Sequence, residues 1–547
     1  MIIKQLGSNP SVFHWTFASL VLHHGILANA NINQDKGNTQ QTAVPQEHTK
    51  SMILLRTSRR TILSQNAITL LRAFTASSLR SRATVAIVGS GPSGCYTAKY
   101  LRASLKHDPP LIHMLEKLPT PYGLVRSGVA PDHPEVKNVQ NDFSQLFQGE
   151  HAVQLFANVK VGKDVSLKEL RQMYDVVVLA YGCESDRKLR IKGENSLGGI
   201  LSAREFVAWY NGHPDFVHVG EIVNLALNNN EKAQVVVIGQ GNVALDCARI
   251  IAKGSSHLLT TDIASHALQI LQERVQVTTV IGRRGHVQGA CTIKEIRELT
   301  KLENASLVVQ EAELQLGCNR ASLIELETSK PKQRMDILLR EVAATAPTHT
   351  KQVHLRFLLN PTEFVANDTG TSLGAVVCER TVLTGDVGRQ SALGTGEYQT
   401  IAADLALVSI GYKGVSVAGL EDFFDDTQGI VVNFHGKVDH STEKHGGLYV
   451  SGWLKRGPSG IIGTNIPDAK DTVASIIEDL KNTVTQRTVD ADALESMLKE
   501  RGVQIVQWEA YQRIELAEAD PRRKRHADQP REKIPDRDDL LKIAFPK

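Results

Sequence analysis

Cysteine is scarce in this sequence. Only six of its 547 residues are cysteines, and no two of them form a Cys-x-x-Cys pair. So few cysteines in so long a chain do not make a disulfide framework, and the missing pairs exclude a dithiol redox motif and a paired-cysteine zinc site. The composition fits a protein of a reducing compartment.

Net charge is equally slight. Lysine and arginine together exceed aspartate and glutamate by three, and a net charge this small does not indicate a nucleic-acid-binding protein. Hydrophobic residues make up 41% and charged residues 22% of the chain, which is typical of globular proteins and not of disordered or collagen-like ones. The length suits roughly three to four ordinary domains, or fewer large α/β domains.

The charge that is present is unevenly distributed. Residues 1–81 contain eight basic and two acidic residues, so this segment carries +6 and the remainder carries −3. Residues 52–84 have six arginines, no acidic residue and many Ser, Thr, Leu and Ile, which is typical of a mitochondrial transit peptide. The alternative is a solvated basic tail. Residues 72–77 resemble a matrix-processing site, which places the mature start near Arg82.

The residues before this segment have a second interpretation. Residues 12–27 are apolar but short for a membrane span. With Ala28-Asn29-Ala30 after them, they resemble a secretory signal peptide with its cleavage site. Met52 is an alternative start, because the transit-like segment begins there, and residues 1–51 would then be an extension. No other segment is a transmembrane candidate.

A first glycine-rich turn follows the leader. Residues 84–88 are typical of a buried strand, and a helical pattern follows Gly94. Between them lies G-x-G-x-x-G, in which Gly89 permits the tight turn, Gly91 lets the backbone approach a pyrophosphate and Gly94 lets helix and strand pack closely. Glu116 ends a second strand 22 residues after Gly94 and can accept hydrogen bonds from an adenosine ribose. These features favour a dinucleotide site over a structural glycine turn.

The same pattern recurs in the middle of the chain. A strand-like run, 233–238, leads into Gly239-Gln240-Gly241-Asn242-Val243-Ala244, the same fingerprint with alanine in third place. The next strand ends in Arg283 and Arg284, without a carboxylate, and guanidinium groups here suit the 2′-phosphate of NADP. The alternative is a surface arginine pair. Glu295, on a polar helix further on, is a candidate to hydrogen-bond the nicotinamide ribose or carboxamide.

Two such sites predict an α/β oxidoreductase that binds two nucleotides, with a flavin at the first site and NADPH at the second. Two further runs, 175–182 and 404–411, are each typical of a strand that ends on glycine. The simplest topology has two Rossmann-like dinucleotide-binding domains, with the NADP domain inserted into the FAD domain. The predicted boundaries are 1–81 for the leader, 82–187 for the first part of the FAD domain, 188–403 for the NADP domain and 404–547 for the second part of the FAD domain.

Four blocks of sequence are more distinctive when taken together. They are 88–94, 122–126 with 128–138, 239–246 with 282–285, and 451–460. With these blocks the chain resembles the adrenodoxin reductase family, the mitochondrial ferredoxin–NADP reductases of the glutathione-reductase-like flavoprotein class. The resemblance extends from about residue 84 to Lys547, and the second and fourth blocks are far more specific than the glycine fingerprints.

The resemblance implies FAD and NADPH as cofactors and gives particular residues a role. Ser93, Glu116 and Leu124 would contact FAD, and Trp453 with the backbone of Gly460, Ile461 and Ile462 would flank its isoalloxazine ring. The residues implied for NADPH are Gln240, Gly241, Asn242, Val243, Arg283, Arg284, Glu295 and Gly460.

Few conventional catalytic residues are expected, because the flavin carries the redox chemistry. The family points to an Asp-His pair near the flavin, which Asp132 and His133 match. A structural pairing with Lys137 is the alternative for these residues.

The resemblance also implies an acidic [2Fe–2S] ferredoxin as the electron acceptor. A mature chain near −3 would repel an acidic partner at long range, so docking needs a local basic patch. The candidates are Arg297, Lys330, Lys332 and Arg334, with a solvated charge run as the alternative. The family further suggests a monomer, and ferredoxins of this kind supply either cytochrome P450 or iron–sulfur cluster assembly. The transit-like leader predicts the mitochondrial matrix, at most peripheral at the inner membrane. The small net charge predicts no nucleic-acid partner.

Two other classes of protein share the nucleotide fingerprints. One is the small flavoprotein subunit of glutamate synthase, whose family usually carries cysteine clusters for iron–sulfur centres that this chain lacks. The other is a nucleotide-binding sensor or scaffold without catalytic activity. Bound flavin that NADPH bleaches would favour an enzyme over a sensor.

Overall fold

Two parallel β-sheets carry the two glycine-rich turns. A computed structural model of the chain describes residues 82–228, 230, 232–271, 274–438, 446–482 and 487–546. The predicted leader, 1–81, lies outside the described residues. In the described part, no helix is both long enough and apolar enough to cross a membrane.

Strands and helices alternate along most of the described chain, as the α/β class requires. The strands are β1 (Thr84–Val88), β2 (Leu111–Glu116), β3 (Gln154–Ala157), β4 (Val176–Leu179), β5 (Ser185–Asp186), β6 (Ile200–Ser202), β7 (Ala233–Ile238), β8 (Val275–Gly282), β9 (Ser306–Val309), β10 (Gln352–Phe357), β11 (Leu359–Ala366), β12 (Leu373–Thr384), β13 (Ser391–Ala402), β14 (Leu405–Val408), β15 (Tyr412–Lys413), β16 (Phe424–Asp425), β17 (Ile430–Val431) and β18 (Gly447–Val450). The α-helices are α1 (Pro92–Ser104), α2 (Leu124–Ser127), α3 (Pro134–Lys137), α4 (Val139–Ser144), α5 (Leu167–Met173), α6 (Ala203–Tyr210), α7 (Val219–Asn228), α8 (Asn242–Lys253), α9 (Ser265–Ile270), α10 (Ile293–Thr300), α11 (Glu311–Leu316), α12 (Arg320–Thr328), α13 (Lys330–Ala343), α14 (Trp453–Arg456), α15 (Asn465–Asn482), α16 (Ala493–Glu500), α17 (Trp508–Ala519) and α18 (Arg537–Ala544).

The first sheet has five strands in the order β18-β4-β1-β2-β3, and every neighbouring pair is parallel. Its central strand β1 is buried along its whole length. Because both faces of a parallel sheet are covered, such a strand is apolar at every position. Val85 and Ile87 join a core with residues of α1 and α15, whereas Ala86 and Val88 join a second core, on the other face, with residues of α5. The alternation of side chains along a strand produces this division.

The second sheet has six strands in the order β6-β14-β7-β8-β10-β9, again all parallel. Strand β14 lies inside this sheet, between β7 and β6. The predicted boundary at residue 404, which gave this run to the FAD domain, is therefore wrong, and the chain returns to the first sheet only after Val408. The run 405–408 is as apolar as β4, so its composition suits either buried parallel sheet and does not specify which neighbour it pairs with.

The two connections between the sheets lie side by side. Strand β5 follows the first sheet and β15 follows the second, and the two form an antiparallel pair in which Tyr412 lies opposite Asp186. Strand β18 then completes the first sheet beside β4. The second sheet is thus inserted between β4 and β18, as the two similar strand-glycine runs predicted.

Smaller elements extend the inserted domain. Strands β11, β12 and β13 form an antiparallel sheet next to β10 in the chain, which the sequence patterns did not predict. Helix α9 (Ser265–Ile270) lies in the long connection between α8 and β8.

Buried His113 makes the stability of the fold depend on pH. It lies in β2, is 2% exposed, and its Nδ1 is 2.6 Å from the Tyr174 hydroxyl oxygen. Burial lowers the pKa of His113 from 6.5 to about 4. The unfolded chain therefore binds the proton more readily, so the stabilisation is complete above pH 6.5 and is lost as the pH falls towards 4.

We expect His113 alone to reduce the free energy of unfolding by about 2 kcal/mol between pH 7 and pH 5. Urea unfolding of the wild type and of His113→Gln at both pH values measures this contribution. The glutamine retains a polar group for Tyr174 but does not titrate, so its stability should change less with pH. An identical pH dependence in the two proteins would contradict the assignment.

Candidate dinucleotide-binding sites

The first glycine-rich turn connects β1 to α1. Gly89 has a φ of +108°, and a Cβ there would lie 2.6 Å from the carbonyl oxygen of Ala180, so only glycine is accommodated. A Cβ at Gly94 would overlap the carbonyl oxygen of Gly89. The turn is therefore tight, and the helix lies close against the strand.

Gly91 leaves open space where a ligand would lie. It is the N-cap of α1 with extended backbone angles (φ −70°, ψ −177°), and a Cβ at this position would meet no atom within 4 Å. A helix N-terminus presents free N–H groups and a positive partial charge, both of which favour phosphate. The turn has the space and the polarity that a pyrophosphate requires.

Glu116 stands at the carboxyl end of β2, beside the turn. Its Oε2 accepts hydrogen bonds from the Ser90 N–H (3.2 Å) and hydroxyl (2.7 Å), and its Oε1 accepts one from the Leu118 N–H (3.0 Å). Burial raises the pKa of the Glu116 carboxyl, although these hydrogen bonds oppose the shift. Because a carboxylate accepts about four hydrogen bonds, one position remains for a ribose hydroxyl.

The segment before α2 packs on the same turn. The Tyr122 N–H donates to the Ser90 carbonyl (3.2 Å), and a Cβ at Gly123 would lie 3.2 Å from the Cα of Gly91. Leu124 follows, with 38% of its surface exposed. The structure thus places this predicted FAD-contact residue next to the glycine turn.

The carboxyl end of β18 meets the start of α1. The Ser93 hydroxyl donates to the Ser451 hydroxyl (2.8 Å). Trp453 begins α14, and its indole N–H donates to the Ser459 carbonyl (3.2 Å). Gly460, Ile461 and Ile462 continue this loop, in which Ile461 is 68% exposed. All of the residues predicted for FAD therefore lie at or next to the carboxyl edge of the first sheet, the usual ligand edge of such sheets.

The second glycine-rich turn, between β7 and α8, repeats this geometry. Gly239 has a φ of +131°, and a Cβ there would overlap the carbonyl oxygen of Ser409. Gly241 is the extended N-cap of α8 (φ −97°, ψ 172°), and a Cβ at Gly241 would meet no atom within 4 Å. This turn offers a second pyrophosphate-sized opening at a helix N-terminus.

Two side chains of the second turn hold it in place. Gln240 Nε2 donates to the Arg356 carbonyl (2.7 Å), and Asn242 Oδ1 accepts from the Thr292 N–H (2.9 Å). Val243 is partly buried against the core of the domain. Contact of Gln240 with a nucleotide would therefore come from its backbone.

Arg283 and Arg284 follow β8, the strand next to β7. Their carbonyl oxygens accept hydrogen bonds from the Thr381 hydroxyl (2.7 Å) and the Leu358 N–H (3.2 Å), respectively. Both arginines are exposed, and neither guanidinium has a hydrogen bond or an ion pair with another described residue. The backbone is thus fixed while two cationic groups are available to a 2′-phosphate.

Asp132 and His133 do not pair with Lys137. Asp132 Oδ2 accepts hydrogen bonds from Arg249 Nε (2.9 Å) and Lys253 Nζ (2.8 Å), whereas Lys137 Nζ donates to Asp262 (2.5 Å). The suggested structural pairing with Lys137 is therefore wrong, because two cations of α8 already occupy Asp132. Burial alone would raise the pKa of Asp132, but Arg249 and Lys253 outweigh it and hold the pKa far below its usual range.

Glu295 lies on α10, beside α8. Its Oε2 accepts a hydrogen bond from Arg249 Nη1 (3.1 Å). Burial and the nearby Asp246 carboxylate raise the pKa of Glu295. The structure therefore joins Glu295 to Asp132 through Arg249, which the sequence patterns missed. The available signal was an arginine on the otherwise apolar face of α8 formed by Leu245, Ala248 and Ala252.

The predicted basic patch lies on α10 and α13, which pack together. Arg297, Lys330 and Arg334 are exposed. Lys332 instead forms an ion pair with the buried carboxylate of Glu325, so its charge is largely neutralised within the fold. The patch is smaller than the sequence predicted.

Comparison with known proteins agrees with this geometry. Residues 83–307 match the family model of the pyridine nucleotide-disulphide oxidoreductases. Two parallel sheets, each with a glycine-rich turn, fit this class of protein. The mitochondrial NADPH:adrenodoxin oxidoreductase of Arabidopsis thaliana is 42% identical over 84% of this chain and 95% of its own length. The human protein of that name is 37% identical over 84% of this chain and 91% of its own length.

Solved structures give the same result. Mycobacterium tuberculosis FprA in complex with NADPH is 36% identical, covers 85% of this chain with 100% of its own, and superposes with a TM-score of 0.77. The chain belongs to the family of NADPH:adrenodoxin oxidoreductases and NADPH-ferredoxin reductases. The family resemblance and the fold class predicted from the sequence are confirmed.

Proposed function

We propose that this chain is an NADPH-dependent flavoprotein that transfers electrons from NADPH, through FAD, to a [2Fe–2S] ferredoxin. One observation carries the proposal: two glycine-rich turns, each with an opening above a helix N-terminus, lie in two parallel-sheet domains of one chain. Each turn suits one pyrophosphate. The curated relatives are named for the same electron transfer.

FAD would be held at the first turn. Gly89, Gly91 and Gly94 would form the opening for its pyrophosphate, and Glu116 has an acceptor position left for its ribose. Ser93, Leu124, Trp453 and the loop Gly460–Ile462 would surround the rest of the molecule. These side chains bind and orient the cofactor and exclude water from it.

NADPH would be held at the second turn, in the inserted domain. The backbone at Gln240–Val243 would contact the pyrophosphate, and the exposed guanidinium groups of Arg283 and Arg284, which have no partner among the described residues, would bind the 2′-phosphate. Glu295 would contact the nicotinamide half. Arginine at this position favours NADPH over NADH, because the 2′-phosphate distinguishes the two.

The chain itself needs few catalytic groups for this reaction. Bound FAD would supply the redox chemistry that links a two-electron donor to a one-electron acceptor. Asp132 is ion-paired and charged, so it orients neighbouring groups and does not donate a proton. His133, whose Nε2 lies 3.0 Å from Glu298 Oε2, is the group of the pair that could hold or move a proton.

An acidic ferredoxin would dock on Arg297, Lys330 and Arg334. Opposite charges raise the rate of encounter, and salt screens this effect. A monomer in the mitochondrial matrix, at most peripheral at the inner membrane, fits the basic leader composition and the mitochondrial names of the relatives. Cytochrome P450 or iron–sulfur cluster assembly would consume the electrons.

Reversing the charge of the patch should separate the two half-reactions. Lys330→Glu with Arg334→Glu should slow ferredoxin reduction roughly tenfold at low ionic strength, and less as salt rises. NADPH-driven reduction of ferricyanide should not change, because the small acceptor needs no docking surface. Stopped-flow measurement with each acceptor gives both rates.

A matched control for this variant is Arg522→Glu with Arg523→Glu. These arginines are also exposed and close in sequence, and the change in charge is the same. Arg522 forms only an exposed ion pair, with Asp520. The control should reduce ferredoxin at close to the wild-type rate. Equal slowing by both pairs would mean that overall charge matters and that the patch does not.

The overall proposal is tested by cytochrome c reduction with purified protein, NADPH and a mitochondrial [2Fe–2S] ferredoxin. The rate should rise strongly when ferredoxin is added. Flavin absorbance that NADPH bleaches without any dependence on ferredoxin would favour another flavoprotein class, such as the glutamate synthase subunit. A colourless protein that cannot be reconstituted with FAD would favour a sensor.

A further inference from the structure

Arg249 is a buried cation to which the proposed function assigns no role. It lies on α8, and 1% of its side chain is exposed. Removing a guanidinium group from water is strongly unfavourable unless every donor finds a partner. Its contacts therefore indicate what this residue does.

Every donor position of the Arg249 guanidinium faces a carboxylate. Nε and Nη2 form a two-point contact with Asp132, at 2.9 and 3.0 Å. Nη1 donates to Glu295 at 3.1 Å and lies 3.0 Å from Glu298. Nη2 also lies 2.7 Å from Asp246. Because a guanidinium has five N–H groups in a rigid plane, these contacts fix its partners in direction as well as in distance.

The four carboxylates come from different parts of the fold. Asp132 belongs to the segment between α2 and α3, in the domain of the first sheet. Asp246 is on α8, and Glu295 and Glu298 are on α10, in the domain of the second sheet. Arg249 thus joins the domain proposed to bind FAD to the helix that carries Glu295.

Lysine could not replace this arrangement. Its ammonium group is a point charge without the planar fork, so it would hold one or two of these carboxylates without fixing their directions. Lys253, the second cation here, contacts Asp132 and is 29% exposed. The direction of Glu295 therefore depends on Arg249.

We propose that Arg249 is a positioning residue for the nicotinamide half of NADPH: it directs the Glu295 carboxylate and holds α10 against Asp132 of the other domain. The proposal rests on the proposed function, because it assumes that NADPH binds at the second glycine-rich turn. It assigns Arg249 no contact with the nucleotide. The adenine half, at Arg283 and Arg284, should not depend on Arg249.

This separation gives the test. Calorimetric titration of the FAD-loaded protein with NADP⁺ measures binding of the whole nucleotide, and titration with adenosine 2′,5′-bisphosphate measures the adenine half alone. Arg249→Lys should weaken NADP⁺ binding about tenfold and leave binding of the bisphosphate within about twofold. Arg249→Gln should weaken NADP⁺ binding further. If the glutamine variant does not fold, the affinities of Arg249→Lys alone test the positioning role.

A double-mutant cycle tests whether Arg249 acts through Glu295. Glu295→Gln should weaken NADP⁺ binding by a similar factor, and adding Arg249→Lys should cause little further loss, because the two residues form one unit. Arg525→Lys is the matched control. Arg525 is likewise a largely buried arginine, with 15% of its side chain exposed, and it binds Glu532 and backbone carbonyls of residues 259–263. Its replacement should leave both affinities unchanged.

Three results would overturn the proposal. They are wild-type NADP⁺ affinity in Arg249→Lys, an equal loss for NADP⁺ and the bisphosphate, and fully additive losses in the cycle. An equal loss for both ligands would indicate a merely structural role. A wild-type protein that binds neither ligand would instead reject NADPH binding itself, so failure of the proposed function is distinguishable from failure of this inference.

Discussion

Replacing Gly91 with alanine should yield a folded protein that is purified without FAD. The backbone at Gly91 is extended and a Cβ there meets no atom of the protein within 4 Å, so the apoprotein should keep its stability. The added methyl group would occupy the opening where the pyrophosphate approaches the backbone. Loss of one or two charged hydrogen bonds corresponds to about 3 kcal/mol, or roughly a hundredfold in affinity.

The measurement is FAD content after purification, with reconstitution of the apoprotein followed by flavin fluorescence. Gly241→Ala is the matched control, because the same change at the second turn should retain FAD and lose NADPH binding. Gly94→Ala should differ from both. Its Cβ would overlap the Gly89 carbonyl, so it should lower stability even without cofactor. FAD bound normally by Gly91→Ala would refute the site.

Replacing both Arg283 and Arg284 with alanine should change the choice of nucleotide. Each guanidinium is exposed and unpaired among the described residues, so its removal leaves the fold intact. A charge-assisted contact to phosphate is worth about 1.5–3 kcal/mol. The loss of two should lower kcat/KM for NADPH at least about a hundredfold.

NADH serves as the internal control for this variant. It lacks the 2′-phosphate, so its kcat/KM should change little, and the preference for NADPH should largely disappear. Steady-state reduction of ferricyanide with each nucleotide measures both values. Equal losses with NADPH and NADH would show that the arginines stabilise the domain and do not recognise the phosphate.

Local sequence patterns were enough to predict many of the strands and turns of this protein. The apolar runs 84–88 and 233–238, the glycines after them and the two arginines after β8 each have the structure that their spacing predicted. Such features depend on neighbours within a few residues, or on the rule that ligands meet the carboxyl ends of parallel strands. The inserted topology followed from two similar strand-glycine runs.

Contacts between distant segments were not predictable in the same way. Strand β14 pairs with β7, although its composition would suit the first sheet equally well. Lys332 is neutralised by Glu325, and Lys137 contacts Asp262 in place of Asp132. In each case one charge or one apolar run has several chemically equivalent partners, and the choice among them depends on packing.

The sequence by itself determined the class of protein, and it predicted two nucleotide sites and a preference for a 2′-phosphate, because short segments specify turns, strands and exposed charges. Only the tertiary structure decided the environment of Asp132 and Glu295. Arg249 lies 117 residues beyond Asp132 and 46 residues before Glu295, and the three meet only where the two domains pack. A buried guanidinium selects its carboxylates by geometry, and that geometry exists only in the folded chain.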